Sequence, residues 1–183
     1  IIDVPIIQYI VEEAAAAGLQ EIVLITARHK EAIENHFDYN LELEAHLENQ
    51  NKKDLAEVSR ALGYKCSLIC VRQKNPRGLG HAVACAEPVI GKEPFAILLG
   101  DDLVEAKTPC IRQLADVAAR EGASVVGVME VAPEDVSKYG IIGGTKLDDR
   151  TWHVDRLVEK PEPKAAPSCL AIPGRYVLSS AIF

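Results

Sequence analysis

Continuous apolar runs alternate with segments of helical spacing along the chain. Ile6 to Ala17 repeats apolar residues at the spacing of a helix, begins just after Pro5 and stops at Gly18, and therefore predicts a helix. Glu21 to Thr26 carries a continuous apolar run, which predicts a parallel strand buried on both faces. This alternation is typical of an α/β protein in which helices cover the faces of a sheet.

A long charged region follows the first predicted strand. Lys30 to Leu62 has helical spacing with short apolar stripes, and it is longer than a minimal crossover requires. It divides into three predicted helical segments, Glu31 to His36, Leu41 to Glu48 and Asp54 to Leu62. It could cover an edge of the sheet, form a contact between subunits, or serve only as an enlarged connection between two parallel strands. Further strands are predicted at Lys65 to Val71, Phe95 to Leu99, Ser124 to Val131, Ile141 to Gly144, Trp152 to Val158 and Ala171 to Leu178, with the strands of Ile141 and Trp152 antiparallel around a turn at Asp148-Asp149. Further helices are predicted at His81 to Glu87 and at Thr108 to Glu121, where Gly122 ends the helix.

The composition is that of a folded domain. The 183 residues are 48% hydrophobic and 26% charged, and no internal repeat divides them, so we expect one domain. A net charge of -7 argues against a nucleic-acid-binding protein, which normally carries a basic stripe. It does not exclude a small phosphorylated ligand, because local Lys, Arg or a metal ion can supply the positive field.

The five cysteines show neither a CxxC motif nor the spacing of a zinc site. We expect reduced thiols, with Cys66 and Cys70 on one buried face of a strand, and hence a cytoplasmic location. No apolar stretch is long enough to cross a bilayer, so no contact with a membrane is expected.

Three loops that follow predicted strands are candidates for chemistry, because ligands bind at the carboxyl ends of strands in a mostly parallel sheet. The first, Arg72 to Ala82, combines basic residues, glycines and the start of a helix. Its glycines allow a base or a phosphate to approach the backbone, and the amide of Gln73 can read a pyrimidine edge. The alternative is a plain connection in which the glycines only permit the turn.

The other two loops carry carboxylates. Gly100-Asp101-Asp102 follows a buried strand and suits Mg²⁺ bound to substrate phosphates, although either Asp could simply cap a turn. Glu159 and Lys160 stand at another strand end, where a carboxylate can accept from sugar hydroxyls and an ammonium can neutralise a phosphate. The alternative is a solvated strand end. Because neighbouring strand residues point to opposite faces, these two side chains are not expected to form a simple ion pair.

Taken in order, these segments resemble a single family. The motifs are Glu21 to Thr26, Arg72-Gln73 with Gly78-Leu79-Gly80-His81-Ala82, Leu98-Leu99-Gly100-Asp101-Asp102, Ser137-Lys138-Tyr139-Gly140, Val158-Glu159-Lys160-Pro161 and Gly174-Arg175-Tyr176. Together with the helical insertion that contains Ile33 to Glu44, they resemble bacterial UTP–glucose-1-phosphate uridylyltransferases along essentially the whole chain. The insertion and the Gly-Leu-Gly-His-Ala run favour this branch of the sugar nucleotidyltransferases over the thymidylyltransferases.

The resemblance implies a fold and a reaction. The fold would be the Rossmann-like one of nucleotide-diphospho-sugar transferases, a mostly parallel mixed sheet with helices on both faces, in a homo-oligomer. The reaction would transfer a uridylyl group from UTP to glucose 1-phosphate, giving UDP-glucose and pyrophosphate. On the nucleotide side, the resemblance implies that Gln73 and Gly78 hold the uracil base.

The resemblance also implies roles on the sugar and metal side. Gly140 would contact glucose through its backbone, Glu159 would accept from sugar hydroxyls, and Lys160 would bind the sugar phosphate. Asp101 would bind the implied cofactor, Mg²⁺, so that Asp101 and Lys160 would be the catalytic residues; Asp102 is its neighbour in the motif. The sugar phosphate would attack the α-phosphorus of UTP in line, mainly through positioning and charge. No covalent intermediate is needed, which agrees with a sequence that offers no supported Ser, Cys or His nucleophile.

The chain departs from the family pattern in three places. Relatives begin with a strand and a phosphate-cradling G-x-G-T-R-x-x-P loop followed by a catalytic lysine, and their C-terminal part supplies a second acidic metal ligand. Neither segment lies within residues 1–183. We therefore expect one nucleotidyltransferase domain that is incomplete at both ends and inactive alone. Cys169 stands where relatives usually carry Asn, which would alter a hydrogen bond on the sugar side.

Overall fold

The computed structural model describes residues 4–57 and 67–183 of the chain. The helices are α1 (Ile6–Ala16), α2 (Glu31–Phe37), α3 (Leu41–Asn49), α4 (Leu79–Ala84), α5 (Glu87–Ile90) and α6 (Cys110–Glu121), with a further helical stretch at 53–57. The strands are β1 (Glu21–Thr26), β2 (Ser67–Arg72), β3 (Phe95–Leu98), β4 (Val125–Val126), β5 (Met129–Glu130), β6 (Gly140–Lys146), β7 (Trp152–Glu159), β8 (Leu170–Ala171) and β9 (Arg175–Leu178). The fold is therefore mixed α/β, as the alternating pattern predicts.

The first helix and strand form where the sequence predicts them. Helix α1 begins after Pro5, whose fixed φ suits the residue before a first helical turn, and the chain leaves it through Gly18 at a φ of +91°. Strand β1 then pairs with β2 in parallel, with Thr26 opposite Arg72. Because parallel strands end at the same edge, the loops after Thr26 and Arg72 leave the sheet side by side.

The core lies between the helices and the central strands. Ala17, Ile111 and Leu114 are buried together, and apolar side chains of β3, β4 and β9 pack against them. A second buried cluster, Val136, Ile141 and Ala171, underlies the hairpin formed by β6 and β7. In the part of the chain that the structure describes, no helix is long and apolar enough to cross a membrane.

The expectation of a mostly parallel sheet is not met among the described strands. Only β1 and β2 pair in parallel, and the remaining described ladders are antiparallel. Strand β9 lies between β3 and β4 and runs opposite to both, so that β3 and β4 keep a common direction. The hairpin of β6 and β7 is antiparallel, as the Asp148-Asp149 turn predicts.

Two predicted strands are interrupted in the structure. The strand predicted at Ser124 to Val131 is divided into β4 and β5, which belong to different sheets. The N–H of Gly127 still donates to the carbonyl of Arg175 at 2.7 Å and continues the pairing of β4 with β9, whereas β5 pairs with β8. The strand predicted at Ala171 to Leu178 is divided into β8 and β9 by Pro173-Gly174, because proline lacks an N–H and Gly174 has a φ of +65°.

The predicted burial of the cysteine pair is wrong for Cys70, which is exposed. Strand β2 pairs only with β1 among the described strands, and most of its side chains are accessible to solvent. Cys66 and residues 58–62 of the predicted third helical segment lie outside the described residues. The predicted helix at His81 to Glu87 is instead the consecutive short helices α4 and α5.

Gly174 is required by the close packing of its turn, and we expect Gly174→Ala to destabilise the fold. Its φ is +65°, and an added Cβ would lie 2.8 Å from Cβ of Leu99. Left-handed strain and overpacking together should lower the free energy of unfolding by about 3 kcal/mol. Gly122→Ala is the matched control, because Gly122 has a φ of +63° with open space around it and should cost only about 1 kcal/mol. Equal losses in urea denaturation of the complete protein would contradict the packing argument.

Candidate active site

The loop after β2 is closed on itself by the side chain of Gln73. The backbone N–H of Gln73 donates to the carbonyl of Thr26 at 2.8 Å, which fixes the residue at the carboxyl edge of β1 and β2. Its side-chain Nε2 donates to the carbonyl of Gly78 at 3.3 Å and lies 2.9 Å from Nδ1 of His81. Gly78 has a φ of +91°, a left-handed conformation that glycine adopts readily. The two residues predicted to hold a base, Gln73 and Gly78, are thus in direct contact.

His81 belongs to this cluster, although the sequence analysis assigned it no role beyond its place in the Gly-Leu-Gly-His-Ala run. It stands in the first turn of α4, immediately after the loop, so its ring points back to Gln73. An amide nitrogen can only donate, so Nδ1 of His81 accepts and the ring proton lies on Nε2. Both hydrogens of the Gln73 amide are then engaged within the protein, which leaves Oε1 of Gln73 as the outward acceptor.

A second part of the site follows β3. Asp101 is exposed and Asp102 is half-buried at the tip of the strand. The backbone on both sides of Asp101 is held from within the protein, since Arg175 donates to the carbonyl of Leu99 at 3.2 Å and to that of Asp102 at 2.8 Å. The carboxylate of Asp101 is therefore presented to solvent from a fixed stretch of backbone.

The donor chemistry of this loop fits Mg²⁺. Adjacent carboxylates on Asp101 and Asp102 offer the hard oxygen ligands that Mg²⁺ prefers. Residues 4–57 and 67–183 contain no cluster of three or more His, Cys, Asp or Glu side chains that could hold a metal alone.

The third part is the end of the hairpin formed by β6 and β7. Gly140 pairs directly with Glu159, and a Cβ added at Gly140 would lie 3.2 Å from Oε2 of Glu159. The backbone N–H of Lys160 donates to the carbonyl of Tyr139 at 3.0 Å, which extends the ladder by one bond. The three predicted sugar-side residues, Gly140, Glu159 and Lys160, therefore form one compact group, in which a Cβ at Gly140 would require a small shift of the exposed Glu159 carboxylate.

The expectation that Glu159 and Lys160 do not pair is wrong. Nζ of Lys160 lies 3.9 Å from Oε1 of Glu159. The strand ends at Glu159, and Lys160 has a φ of +44°, so the alternation of a regular strand no longer applies and the side chain turns back. Both side chains are more than half exposed, and such a long, solvated contact holds neither group tightly.

Tyr176 is affected by charged groups of both the second and the third part of the site. Burial raises the pKa of this phenol, and the negative charges of Glu159, Asp102 and Asp101 raise it further. The carboxylates of both loops thus act on one side chain in the middle of the central sheet. No hydrogen bond or ion pair among the described residues joins the Gln73 loop to these two loops, so the site has a base-side cluster and a separate carboxylate-and-lysine cluster.

The nucleotidyl transferase family model matches residues 1–183, the whole chain. The chain belongs to this family. The UTP–glucose-1-phosphate uridylyltransferase YngB of Bacillus subtilis (strain 168) is 51% identical over all 183 residues, and the chain spans 62% of its length. A structure of UDP-glucose pyrophosphorylase complexed with UDP-glucose is 39% identical with a TM-score of 0.86, covering 98% of this chain and 66% of the other.

A UTP-bound UGPase from Acinetobacter baumannii is also similar, at 38% identity and a TM-score of 0.90, covering 97% of this chain and 64% of the other. The resemblance drawn from the ordered motifs is thereby confirmed. The chain nevertheless spans less than two thirds of the length of the curated nucleotidyl transferase that it matches at 51% identity.

Proposed function

We propose that the complete protein containing this chain transfers the uridylyl group of UTP to glucose 1-phosphate, giving UDP-glucose and pyrophosphate. The observation that carries the proposal is the compact group formed by Gly140, Glu159 and Lys160. The charge of Glu159 and those of Asp101 and Asp102 all raise the pKa of Tyr176. A site that binds and activates a sugar phosphate needs acceptors for the sugar hydroxyls, a positive charge for the phosphate, and a loop that can bind a metal ion. The 51% identity to a uridylyltransferase supports the choice of UTP and glucose 1-phosphate.

The base is assigned to the cluster around Gln73. With both amide hydrogens engaged by Gly78 and His81, Oε1 of Gln73 accepts from the N3–H of uracil. Cytosine has an acceptor at this position and would face Oε1 with no hydrogen between them. An unpaired polar contact of this kind is what allows a site to reject a close analogue.

The sugar phosphate is assigned to the end of the hairpin. The backbone of Gly140 is open to a sugar ring, and Glu159 accepts from the sugar hydroxyls. Lys160 is loosely paired, so its ammonium can turn to the phosphate and offset part of its charge. Holding both polyanions in the same place makes up much of the catalysis, because reactants fixed in an in-line geometry react as one molecule.

Asp101 is the residue we assign to Mg²⁺, with Asp102 beside it. When bound, Mg²⁺ supplies charge neutralisation on the phosphate oxygens. The oxygen of the sugar phosphate attacks the α-phosphorus directly and pyrophosphate leaves, so no side chain of this chain is required as a nucleophile. Tyr176, with its raised pKa, stays protonated at neutral pH and adds no further negative charge between the two loops.

We also propose the setting of this chain. The mixed sheet and its flanking helices are part of a single Rossmann-like nucleotidyltransferase domain, with helices on both faces once the sheet is complete. The 62% coverage of a curated relative supports further segments being required for activity. Exposed apolar side chains on the charged insertion, such as Leu41 at 73% exposure and Leu55 at 55%, support a homo-oligomer, and the free thiols support a cytoplasmic location.

The proposal is tested by assaying the complete protein with UTP, dTTP and CTP against glucose 1-phosphate, galactose 1-phosphate and mannose 1-phosphate. We expect the highest kcat/KM for UTP with glucose 1-phosphate, and strict dependence on added Mg²⁺. A clear preference for dTTP would overturn the uridylyl assignment. A folded, Mg²⁺-loaded protein that binds UTP without turnover would favour a non-catalytic binding module.

The orientation of the Gln73 amide gives a separate prediction. His81→Leu removes the acceptor for one amide hydrogen, which frees the amide to rotate and accept cytosine, so the UTP-to-CTP ratio of kcat/KM should fall about tenfold. His46→Leu is the matched control, because His46 makes the same kind of contact with Gln50, at 2.8 Å, on α3. An unchanged ratio in a folded His81 variant would contradict the assigned role of the histidine.

A further inference from the structure

A buried ion pair lies beneath the loop that carries Asp101. The side chain of Arg175 is fully buried and that of Glu13 is 8% exposed. Nη2 of Arg175 lies 2.8 Å from Oε2 of Glu13, and Nε lies 3.1 Å from the same oxygen. Arg175 is the first residue of β9 and Glu13 lies on α1, so the pair joins two elements that are 162 residues apart in sequence.

Every donor of this guanidinium is engaged. Besides Glu13, Arg175 donates through Nη1 to the carbonyls of Leu99 and Gly174, at 3.2 and 3.3 Å, and through Nη2 to the carbonyl of Asp102 at 2.8 Å. Glu13 in turn accepts from the N–H of Ile111, at the start of α6, at 3.2 Å. The five N–H groups of an arginine form a rigid planar fork, so these acceptors are held in fixed relative positions.

The carbonyls held by Arg175 flank the acidic turn. Leu99 precedes Gly100-Asp101 and Asp102 follows it, so the guanidinium binds the backbone at both ends of the segment that carries Asp101. The side chain of Asp101 itself has no hydrogen bond or ion pair in the part of the chain that the structure describes. Its direction is therefore determined by the backbone that Arg175 holds.

Stability alone does not explain this arrangement. A buried ion pair loses the hydration of both charges, and well-packed apolar residues often stabilise a protein as much or more. What an apolar pair cannot do is donate to the carbonyls of Leu99 and Asp102. The specific contribution of Arg175 is therefore the geometry of the loop, and that of Glu13 is to orient and neutralise the guanidinium.

We propose that Glu13 and Arg175 are positioning residues that hold the Gly100-Asp101-Asp102 loop in the conformation required for binding of a divalent cation with the nucleotide. This inference rests on the proposed role of Asp101 as a metal ligand. It assigns a function to two residues that lie beneath the site and touch neither substrate. It also explains why a side chain as polar as Arg175 occupies the interior.

The test compares three variants of the complete protein. Arg175→Lys keeps the charge and loses the fork, and Glu13→Gln keeps the shape and loses the charge. The double variant Glu13→Leu with Arg175→Met replaces the pair by apolar side chains, so that the fold can survive without the bonds to the loop. Arg112→Lys is the matched control, because Arg112 pairs with Asp116 at 2.9 Å on the exposed face of α6.

Two readouts do not depend on turnover. Hydrogen exchange at the N–H of Leu99, which donates to the carbonyl of Gly174 at 2.9 Å, should speed up at least tenfold in Arg175→Lys and in the double variant, with exchange of β6 and β7 unchanged. Mn²⁺ affinity in the presence of UTP, measured by electron paramagnetic resonance, should fall about tenfold. In steady state, kcat should fall and the Mg²⁺ concentration for half-maximal rate should rise, while KM for glucose 1-phosphate stays the same.

The outcomes separate this inference from the proposed function. Folded variants with wild-type exchange of the loop and wild-type Mn²⁺ affinity would overturn the positioning role, even in an active enzyme. Faster exchange of the loop together with a wild-type protein that makes no UDP-glucose would instead overturn the proposed function and leave the structural link intact. If Arg175→Lys does not fold, the double apolar variant decides whether the loop depends on the ion pair, because the same faster exchange is expected of it.

Discussion

Asp101→Ala is expected to abolish Mg²⁺-dependent formation of UDP-glucose in the complete protein while leaving the fold intact. The carboxylate is exposed, and among the described residues it makes no hydrogen bond or ion pair that folding would lose. Stability should therefore change by less than about 0.5 kcal/mol. The rate should fall by roughly three orders of magnitude, because the phosphates would lose a preorganised source of charge stabilisation.

Asp149→Ala is the control for this prediction. Asp149 is a fully exposed acid at the turn between β6 and β7, and it lies 3.7 Å from Lys146. Its removal changes the net charge by the same amount without touching the acidic loop. Melting temperature and kcat measured across a Mg²⁺ titration distinguish the two variants, and near-normal turnover of Asp101→Ala would refute the metal role.

Lys160→Met is expected to weaken the use of glucose 1-phosphate specifically. Among the residues that the structure describes, Nζ of Lys160 contacts only Oε1 of Glu159, at 3.9 Å, so the ammonium is available to a phosphate. Loss of one charge-assisted hydrogen bond should cost about 1.5–3 kcal/mol, or roughly ten- to hundredfold in kcat/KM for the sugar phosphate. KM for UTP should change little, because the base is bound by the separate cluster around Gln73.

Lys146→Met serves as the control, because Lys146 lies on the same hairpin, is similarly exposed and pairs with Asp149 at 3.7 Å. Both variants lose one positive charge from the same sheet. If the two variants respond alike to glucose 1-phosphate, the effect is one of general charge and Lys160 is not the phosphate ligand.

Local sequence signals predicted the elements whose ends are determined by single residues. Pro5 and Gly18 bound α1, Gly122 ends α6 at a φ of +63°, and the turn at Asp148-Asp149 predicts the antiparallel hairpin. The direction and order of the central strands could not be predicted in this way. Strand β9 lies between β3 and β4 although it is distant from both in sequence. An apolar run indicates a buried strand but does not indicate which strand it pairs with.

For the same reason, the sequence predicted some contacts of the candidate site and not others. Gln73 and Gly78 lie five residues apart, and the structure brings them into contact, as it does Gly140, Glu159 and Lys160. Longer-range partners could not be identified. The contact of His81 with Gln73 requires the helix to begin at Leu79. The burial of Arg175 depends on Glu13, a residue whose position in space no local pattern specifies.

The ion pair between Glu159 and Lys160 was mispredicted because alternation holds only inside a strand. The strand ends between the two residues, and the positive φ of Lys160 reverses the direction of its side chain. Strained backbone at this point coincides with the proposed phosphate ligand, as is common at functional sites.

The central claim is that an oxygen of the glucose 1-phosphate phosphate forms the new bond to the α-phosphorus of UTP, so that the bond from the sugar to its own phosphate stays intact. It is tested by incubating the complete protein with UTP and with glucose 1-phosphate whose non-bridging phosphate oxygens all carry the heavy oxygen isotope. We predict that mass spectrometry finds the whole label in UDP-glucose and none in pyrophosphate. Unlabelled UDP-glucose, or label released as free phosphate, would mean that the bond from the sugar to its phosphate is broken, and would contradict the account.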